Sequence, residues 1–311
     1  MNAIEIKKLR KTYRSHIWAK APTALESLTL DVREREVFGF LGKNGAGKTT
    51  AIKILCGLLK PTSGSAQIRG IDVKNRDARK LIGYLPENPY FYEYLTPKET
   101  VEFYGRLNGL DKGERSREWD RLSEALDLRT IGNQRVRSFS KGMRQRLGFA
   151  VASVGDPPIL ILDEPMSGLD PIGRHMIRDL IQRVRSQGKT VFFSSHVLSD
   201  VERVSDRIGM LIDGELHSVG AIEEILAQRV SAVEVVAKRL PDYVAYEIGR
   251  MALETRQSES TYHFRFDSMD LANDATRQIH AHDGVLVELT PLKESLEDYF
   301  VREQNTAGIH S

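Results

Sequence analysis

The amino-acid sequence predicts an α/β protein built around a buried and largely parallel sheet. Short β-branched or aromatic runs alternate with longer helical patterns along most of the chain. The runs "PILIL" (158–162) and "TVFFSS" (190–195) have the length and apolar character of strands that are covered on both faces. A third run, "EVFGFL" (36–41), leads into a glycine loop and then a helical pattern, which predicts a strand–loop–helix unit.

Local signals predict the helices that follow. "KTTAIKILCGLL" (48–59) is predicted as the helix after the glycine loop. In "TPKET", Thr96 is predicted as an N-cap and Glu99 as the residue that closes a capping box. "DPIGRHMIRDLIQRVRSQG" (170–188) is predicted as an amphipathic helix that begins with Asp170 as its N-cap.

Two domains are predicted, with a boundary near residue 222. The hairpin "MLIDGELHSV", which turns at Asp213-Gly214, lies shortly before it. Residues 1–222 form the larger domain, residues 223–304 a small α+β accessory domain, and residues 305–311 a disordered tail. The accessory domain is predicted to contain four strands, "SAVEVVA", "MALETR", "TYHFRF" and "GVLVELT", helices at about 241–250 and 268–282, and a final helix, "PLKESLEDYFVREQ". We find no catalytic spacing in it.

Composition narrows the class of protein. Hydrophobic residues make up 41% of the chain and charged residues 28%, as in globular proteins. The 45 Lys and Arg residues nearly balance the 43 Asp and Glu residues, which disfavours a nucleic-acid partner. The single cysteine, Cys56, excludes an internal disulfide and fits a reducing compartment. No apolar run approaches the ~20 residues of a membrane span, so action at a membrane would be peripheral.

The strongest motif is "GKNGAGKT", residues 42–49, a phosphate loop that binds a nucleoside triphosphate. Its glycines let successive backbone N–H groups converge on a polyphosphate, and the following helix adds its positive end. Lys48 can reach the β and γ phosphates, and the Thr49 hydroxyl is suited to Mg²⁺. The candidate nucleotide-binding residues are Gly42, Lys43, Asn44, Gly45, Ala46, Gly47, Lys48, Thr49 and Thr50.

An acidic pair, Asp163 and Glu164, ends the predicted strand in "ILILDEP". Phosphoryl transfer to water needs a metal ligand and a group that orients and deprotonates the water. Where the strand ends and Pro165 turns the backbone, Asp163 can serve as an outer-sphere Mg²⁺ ligand and Glu164 as general base. Without the phosphate loop, the pair would be an ordinary strand end in solvent.

"SFSKGMRQRLGFA" (138–150) places a serine, a glycine and several cations at the start of a helical pattern. Taken alone, this is a Ser-capped helix on a basic surface. The phosphate loop, "SKGMRQR", "LDEP", "SGLD" (167–170) and "SSH" (194–196) occur in the order found in ATP-binding-cassette (ABC) ATPases, and residues 1–222 resemble that family.

The resemblance implies a P-loop NTPase of the ABC ATPase fold, with a core α/β subdomain, a helical subdomain and an antiparallel β subdomain. It implies ATP and Mg²⁺ as ligands, and a head-to-tail dimer that sandwiches each ATP. The partner copy's ATP would be contacted by Ser140, Lys141, Gly142 and Met143 of the signature motif and by Asp170 of "SGLD". Tyr13 would stack on adenine. His196 would contact the γ phosphate and position the attacking water.

Three positions depart from the family pattern. Glu87, in "YLPEN", occupies the place of the usual glutamine that senses Mg²⁺ and water. A carboxylate can ligate Mg²⁺ but cannot donate a hydrogen bond while ionised. Lys141 and Met143 replace the usual glycine and glutamine of the signature, and Lys141 would add charge near the partner's phosphates.

"YLPEN", "SKGM" and the terminal "LEDYF" resemble the branch whose ATPase is separate from an exporter-type permease. The expected function is that of a cytosolic ATPase subunit, peripheral on the cytoplasmic face of the membrane. It would pair with a second copy or a paralogue and with a separate permease. The aromatic run at 89–94 lies where such ATPases receive the permease's coupling helix; a role in the helical core is an equal alternative.

Two other functions remain open. A ribosome- or DNA-associated ATPase of the same superfamily is disfavoured, because the chain has one cassette, no sustained heptads and a near-neutral charge. An ATP-dependent gate or sensor is not separated from an exporter by the sequence.

Overall fold

The computed structural model describes residues 1–13, 22–226, 230–258, 260–293, 296–297, 299–300 and 302. The chain divides into two compact units, Met1–Ile222 and Glu223–Ser311. The predicted tail at 305–311 and residues 294–295, 298, 301 and 303–304 of the predicted final helix lie outside the described residues. Within the described part, no helix combines the length and apolarity needed to cross a bilayer.

The first unit contains ten strands among its described residues. They are Asn2–Thr12 (β1), Thr23–Arg33 (β2), Val37–Leu41 (β3), Ser63–Ile68 (β4), Ile71–Asp72 (β5), Ile82–Leu85 (β6), Ile159–Leu162 (β7), Thr190–Ser195 (β8), Arg207–Ile212 (β9) and Glu215–Ala221 (β10). The helices are Lys48–Leu55 (α1), Arg76–Arg79 (α2), Pro97–Leu107 (α3), Lys112–Ala125 (α4), Lys141–Ala152 (α5), Pro171–Ser186 (α6), Leu198–Val204 (α7) and Ile222–Leu226 (α8), which crosses the boundary. Two 3₁₀ turns, Arg129–Ile131 and Val136–Ser138, precede α5.

The described strands of the first unit form two sheets. The six-stranded sheet has the order β10-β9-β3-β8-β7-β6, and every neighbouring pair except β9–β10 is parallel. The second sheet, β2-β1-β4-β5, is antiparallel. Its apolar side chains share one buried cluster with α1 and with Phe38, Phe40 and Phe192 of the six-stranded sheet. The helices α3, α4 and α5 fall between β6 and β7 in the chain, so the predicted α/β, antiparallel β and helical parts are all present.

Local capping signals gave the correct helix starts. Thr96 and Glu99 form the predicted capping box at α3. Asp170 accepts a hydrogen bond from the Gly173 N–H at 2.8 Å and caps α6. The predicted helix 48–59 is too long, because α1 ends at Leu55 and Gly57 adopts a left-handed φ of 67°. A helix that meets such a residue closes there.

Cys56, just after α1, is 4% exposed. Burial, with a smaller contribution from the Asp163 carboxylate, raises the pKa of its thiol. We therefore expect native protein at pH 8 to react with a thiol reagent at least about 100-fold more slowly than unfolded protein. The thiol becomes accessible only through a local opening that costs about 3 kcal/mol, so roughly one molecule in a hundred exposes it at any time. Absorbance at 412 nm with an aromatic disulfide reagent measures both rates; equal rates would contradict the buried position.

Within its described residues from 230 to 293, the second unit has the order β-α-β-β-α-β. Its elements are Val230–Lys238 (β11), Asp242–Met251 (α9), Glu254–Ser258 (β12), Thr261–Phe266 (β13), Met269–Ala281 (α10) and Val285–Lys293 (β14). The sheet order is β12-β13-β11-β14 with antiparallel pairs throughout, a ferredoxin-like arrangement. Alternate residues of β11 and β13 pack against both helices; the buried core includes Val235, Phe264, Ile248 and Ile279.

Two predicted boundaries in this unit are wrong. Met251 ends α9 instead of opening the strand "MALETR", and β12 begins at Glu254. The predicted final helix starts too early, because residues 291–293 continue β14 and pair with β11. Pro291 could begin a helix by itself, but pairing with a neighbouring strand decided its conformation.

Candidate functional site

Four loops meet at the carboxyl edge of the six-stranded sheet. The phosphate loop follows β3, His196 follows β8, Asp163 and Glu164 follow β7, and Glu87 lies two residues beyond β6. Because these four strands are parallel neighbours, their carboxyl ends lie side by side. Ligands of open α/β sheets bind at this edge. The sheet therefore brings the predicted site residues together from four distant parts of the chain.

The phosphate loop wraps a cavity of about 330 Å³ at the start of α1. Gly47 has a φ of 106°, and a Cβ at this position would lie 2.2 Å from the Ala24 carbonyl oxygen. No other residue fits there, so this glycine lets the chain turn into α1. The cavity is lined by Ala24, Lys43, Asn44, Gly45, Gly47, Lys48, Thr49, Thr50, Glu87 and Glu164.

Lys48 is a buried cation at the base of this cavity. Its Nζ donates hydrogen bonds to the carbonyl oxygens of Gly42, at 2.6 Å, and Lys43, at 3.1 Å. The same atom lies 3.1 Å from Oε1 of Glu164. A polyphosphate that reaches Lys48 would compete with Glu164 for this charge.

Asp163 is buried and held by two hydroxyl groups. Its Oδ1 accepts hydrogen bonds from Ser194 Oγ at 2.8 Å and from Thr49 Oγ1 at 3.2 Å. Burial raises the pKa of the Asp163 carboxyl group, while these two hydrogen bonds act against the rise. The fold thus ties the last residue of the phosphate loop to the first residue of the acidic pair.

Glu164 takes a left-handed backbone conformation, with a φ of 49°. The turn that separates the two carboxylates therefore lies at Glu164 itself, which is a strained position for a residue with a side chain. Its Oε2 lies 2.8 Å from Nδ1 of His196. Its buried Oε1 has no hydrogen-bond partner among the described residues, although Lys48 Nζ is near as an ion-pair partner. Oε1 is therefore held by an ion pair alone, and a phosphate that draws Lys48 away would free it to accept a proton.

The oxygen donors around the cavity suit Mg²⁺ in part. Thr49, Asp163 and Glu87 bring hydroxyl and carboxylate oxygens to one end of the phosphate loop, which is the ligand chemistry that Mg²⁺ prefers. Within the described residues, no group of three or more His, Cys, Asp or Glu side chains could hold a metal ion by itself. These residues therefore fit an ion that takes its other ligands from phosphate oxygens and water.

Tyr13 lies beside the phosphate loop. Its hydroxyl group is 3.2 Å from Thr50 Oγ1, and Nζ of Lys11 lies 5.3 Å from the ring centroid. The ring is partly exposed, so one face can take a flat ligand.

The signature residues lie outside the lining of this cavity. Ser140 is the exposed N-cap of α5, and its Oγ accepts the Met143 N–H at 3.3 Å, which leaves the hydroxyl proton free to donate. Gly142 has open space beside it: a Cβ there would meet only Leu169, at 4.0 Å. The Lys141 ammonium lies against Gly168 of "SGLD" in the same chain.

Sequence reasoning missed the role of Ser194. Its Oγ donates to Asp163 and accepts the Glu164 N–H at 2.9 Å, so it fixes both acidic residues. The available signal was the motif "SSH". It places a hydroxyl residue near the end of β8, the strand beside the one that leads into the acidic pair.

Comparisons with known proteins identify the family of the chain. The family model described as ABC transporter matches residues 25–167. An uncharacterized ABC transporter ATP-binding protein of Synechocystis is 37% identical over 99% of this chain and 86% of its own length. The bacitracin transport ATP-binding protein BcrA of Bacillus licheniformis is 33% identical over 90% of this chain and 92% of its own.

Solved structures give the same result. The ATP-binding subunit of an ABC transporter superposes with a TM-score of 0.64 at 31% identity, covering 73% of this chain and 92% of that one. An ATP-binding cassette in a dimeric post-hydrolysis state with ADP and Pi has a TM-score of 0.65 at 26% identity, covering 70% of this chain and 98% of that one. The chain belongs to the ATP-binding subunits of ABC transporters, with the ABC ATPase fold, and it binds and hydrolyses ATP.

Proposed function

We propose that this chain energises an exporter: it dimerises head to tail around ATP and drives a separate permease from the cytoplasmic face of the membrane. The observation that supports dimerisation is the position of the signature helix. Ser140 and Gly142 present an open helix N-terminus, which is an anion-binding feature, yet they do not line the phosphate cavity of their own chain. A second copy of this chain, or a paralogous subunit, would supply the phosphate.

Each site residue then has a role in hydrolysis. The phosphate loop and Lys48 hold the β and γ phosphates. The partner copy's Ser140 hydroxyl and Gly142 N–H would bind the γ phosphate from the other side. Oε1 of Glu164 accepts a proton from the water whose oxygen forms the new bond to the γ phosphorus, while the bond to the bridging oxygen breaks and ADP leaves.

Supporting residues orient these groups. His196 fixes the Glu164 carboxylate through Oε2 and would contact the γ phosphate. Tyr13 would stack on adenine, and Asp170 would reach across the dimer interface. Bound Mg²⁺, held by Thr49 with Asp163 and Glu87 nearby, would neutralise charge on the β and γ phosphates.

A tyrosine surface is the proposed contact for the permease. We define it as Tyr90, Tyr92 and Tyr94, which are 82%, 46% and 64% exposed. Tyr92 packs edge-on against Phe103 of α3, with ring centroids 5.5 Å apart. Exposed aromatic side chains anchored on a helical framework are typical of interfaces. The alternative role in the helical core fits Phe91, which is buried.

Replacing Tyr94 by serine is expected to weaken permease binding by about 2 kcal/mol, roughly 30-fold, because interface tyrosines are frequent hot spots. Co-purification of tagged subunit with the permease in detergent, titrated for affinity, measures this. Tyr243→Ser is the matched control, since Tyr243 is also 64% exposed and lies on α9 of the other unit. Equal losses for the two variants would contradict a docking role for this surface.

Purification of the tagged chain from a membrane extract of its native cells tests the proposed function. We expect a polytopic membrane protein to co-elute and to stimulate ATP hydrolysis when both are reconstituted in vesicles. Co-elution with ribosomes or DNA would favour the non-transport alternative. ATP turnover in vesicles without net movement of any cargo would favour a gate or sensor.

A further inference from the structure

The helices α6 and α7 are joined by a cluster of charges around one buried carboxylate. Asp200, in the first turn of α7, is 2% exposed. Its Oδ1 accepts a hydrogen bond from Nη1 of Arg178 at 2.9 Å, and its Oδ2 lies 3.7 Å from Nη1 of Arg174. We call Arg174, Arg178 and Asp200 the arginine clamp. Both arginines lie on one face of α6, four residues apart.

One end of the clamp reaches the loop that precedes α6. Nε of Arg174 donates a hydrogen bond to the Leu169 carbonyl oxygen at 3.3 Å. Leu169 adjoins Asp170, the N-cap of α6. The backbone of "SGLD" is therefore held by the same guanidinium group that approaches Asp200.

The other end of the clamp lies on α7, close in sequence to His196. The helix α7 begins at Leu198, two residues after His196. His196 in turn holds Oε2 of Glu164. A third contact, from Gln182 Nε2 to the Val204 carbonyl oxygen at 3.0 Å, fixes the far end of α7 on the same face of α6. The two helices are thus attached along the full length of α7.

A buried ion pair contributes little net stability compared with apolar packing, because removing the charges from water costs as much as their attraction returns. A guanidinium group does supply a rigid planar fork, so it fixes direction as well as distance. The clamp is therefore better suited to fixing the orientation of α7 relative to α6 than to stabilising the unit.

We propose that the arginine clamp couples the position of Asp170 to the orientation of His196, and through His196 to Glu164. Arg174, Arg178 and Asp200 are positioning residues: none of them lines the phosphate cavity. The inference rests on the proposed function, in which a second copy engages Asp170. Docking of that copy would shift the start of α6, and the clamp would carry the shift to His196.

Hydrogen–deuterium exchange of residues 197–204 in the purified chain tests the coupling without requiring turnover. Asp170→Ala removes the N-cap of α6, and we expect it to speed exchange in α7 by about five- to tenfold through the clamp. In an Arg174→Lys background, which keeps the charge but loses the Nε donor, Asp170→Ala should add less than about twofold. Additive effects of the two substitutions, or no response of α7 to Asp170→Ala, would overturn the proposal.

Two further variants complete the test. Asp200→Asn keeps the size of the side chain and should reproduce the loss of coupling. Arg185→Gln is the matched control. Arg185 also lies on α6 and forms an ion pair, in this case with Asp206, but it touches neither the "SGLD" loop nor the loop that carries His196.

In the ATPase assay, Arg174→Lys should lower kcat about tenfold with KM for ATP unchanged within about twofold. If the chain showed no ATPase activity, the proposed function would be refuted. The exchange measurement would still show whether the clamp couples Asp170 to α7.

Discussion

The Glu164→Gln variant is expected to lose ATP turnover by about 100- to 10,000-fold while it still binds ATP. Glutamine keeps the shape of the side chain but cannot accept a proton from water. The Oε1 position, which has no hydrogen-bond partner among the described residues, is where that proton would go. Phosphate release under saturating ATP measures turnover.

ATP affinity of this variant should equal or exceed that of the original chain. In the structure, Glu164 holds the Lys48 ammonium at 3.1 Å, and a bound phosphate would have to compete with it. An uncharged glutamine competes less, so Lys48 is freer to bind phosphate. Isothermal titration with ATP tests this expectation.

Glu36→Gln is the matched control for the loss of a buried carboxylate. Glu36 is 8% exposed, against 7% for Glu164, and it also pairs with a cation, Arg207, at 3.0 Å. It lies far from the carboxyl edge of the sheet, before β3. Turnover per folded molecule should be normal in this variant. Normal turnover in Glu164→Gln as well would refute the assignment of Glu164 as general base.

Gly142→Asp is expected to abolish ATP-driven dimerisation and to lower turnover by about 100-fold or more, because one anion-binding position of the second copy is lost. A Cβ at Gly142 meets no atom closer than 4.0 Å, so the fold can accept the side chain. Its negative charge would face the γ phosphate of the partner. Binding of ATP to the monomer should be unchanged, since Gly142 does not line that cavity.

Gly113→Asp provides an equivalent substitution elsewhere. Gly113 is the second residue of α4, as Gly142 is of α5, and each follows a lysine. An acidic residue in the first turn stabilises a helix by about 0.3–1 kcal/mol, so neither variant should melt earlier than the original chain. Light scattering with and without ATP, in a Glu164→Gln background, measures dimerisation. Equal dimerisation of the two variants would contradict a trans contact at Gly142.

Much of the local structure could be predicted from the sequence. The capping box at Thr96, the N-cap at Asp170 and the turn at Asp213 depend on residues within a few positions of each other. The chemistry of such a signal is complete in a short segment, so no distant contact is needed to interpret it. The phosphate loop is a signal of the same kind.

The two largest errors have different causes. The early end of α1 follows from Gly57, a helix-ending signal that lies within the segment itself, whereas the extension of β14 through residues 291–293 depends on pairing with the distant strand β11. Tertiary pairing overrides the weak preference of a residue for helix or strand. No periodicity in those segments revealed the outcome.

By itself, the sequence determined the family, the α/β class and the set of residues that can handle ATP, because each motif is a contiguous run with its own chemistry. Only the tertiary structure decided how those residues are connected. Lys48 meets Glu164, Ser194 fixes both acids, and Arg178 reaches Asp200, 22 positions further along the chain. Such contacts depend on which strands become neighbours and how helices pack on them, and that arrangement is a property of the whole core rather than of any segment.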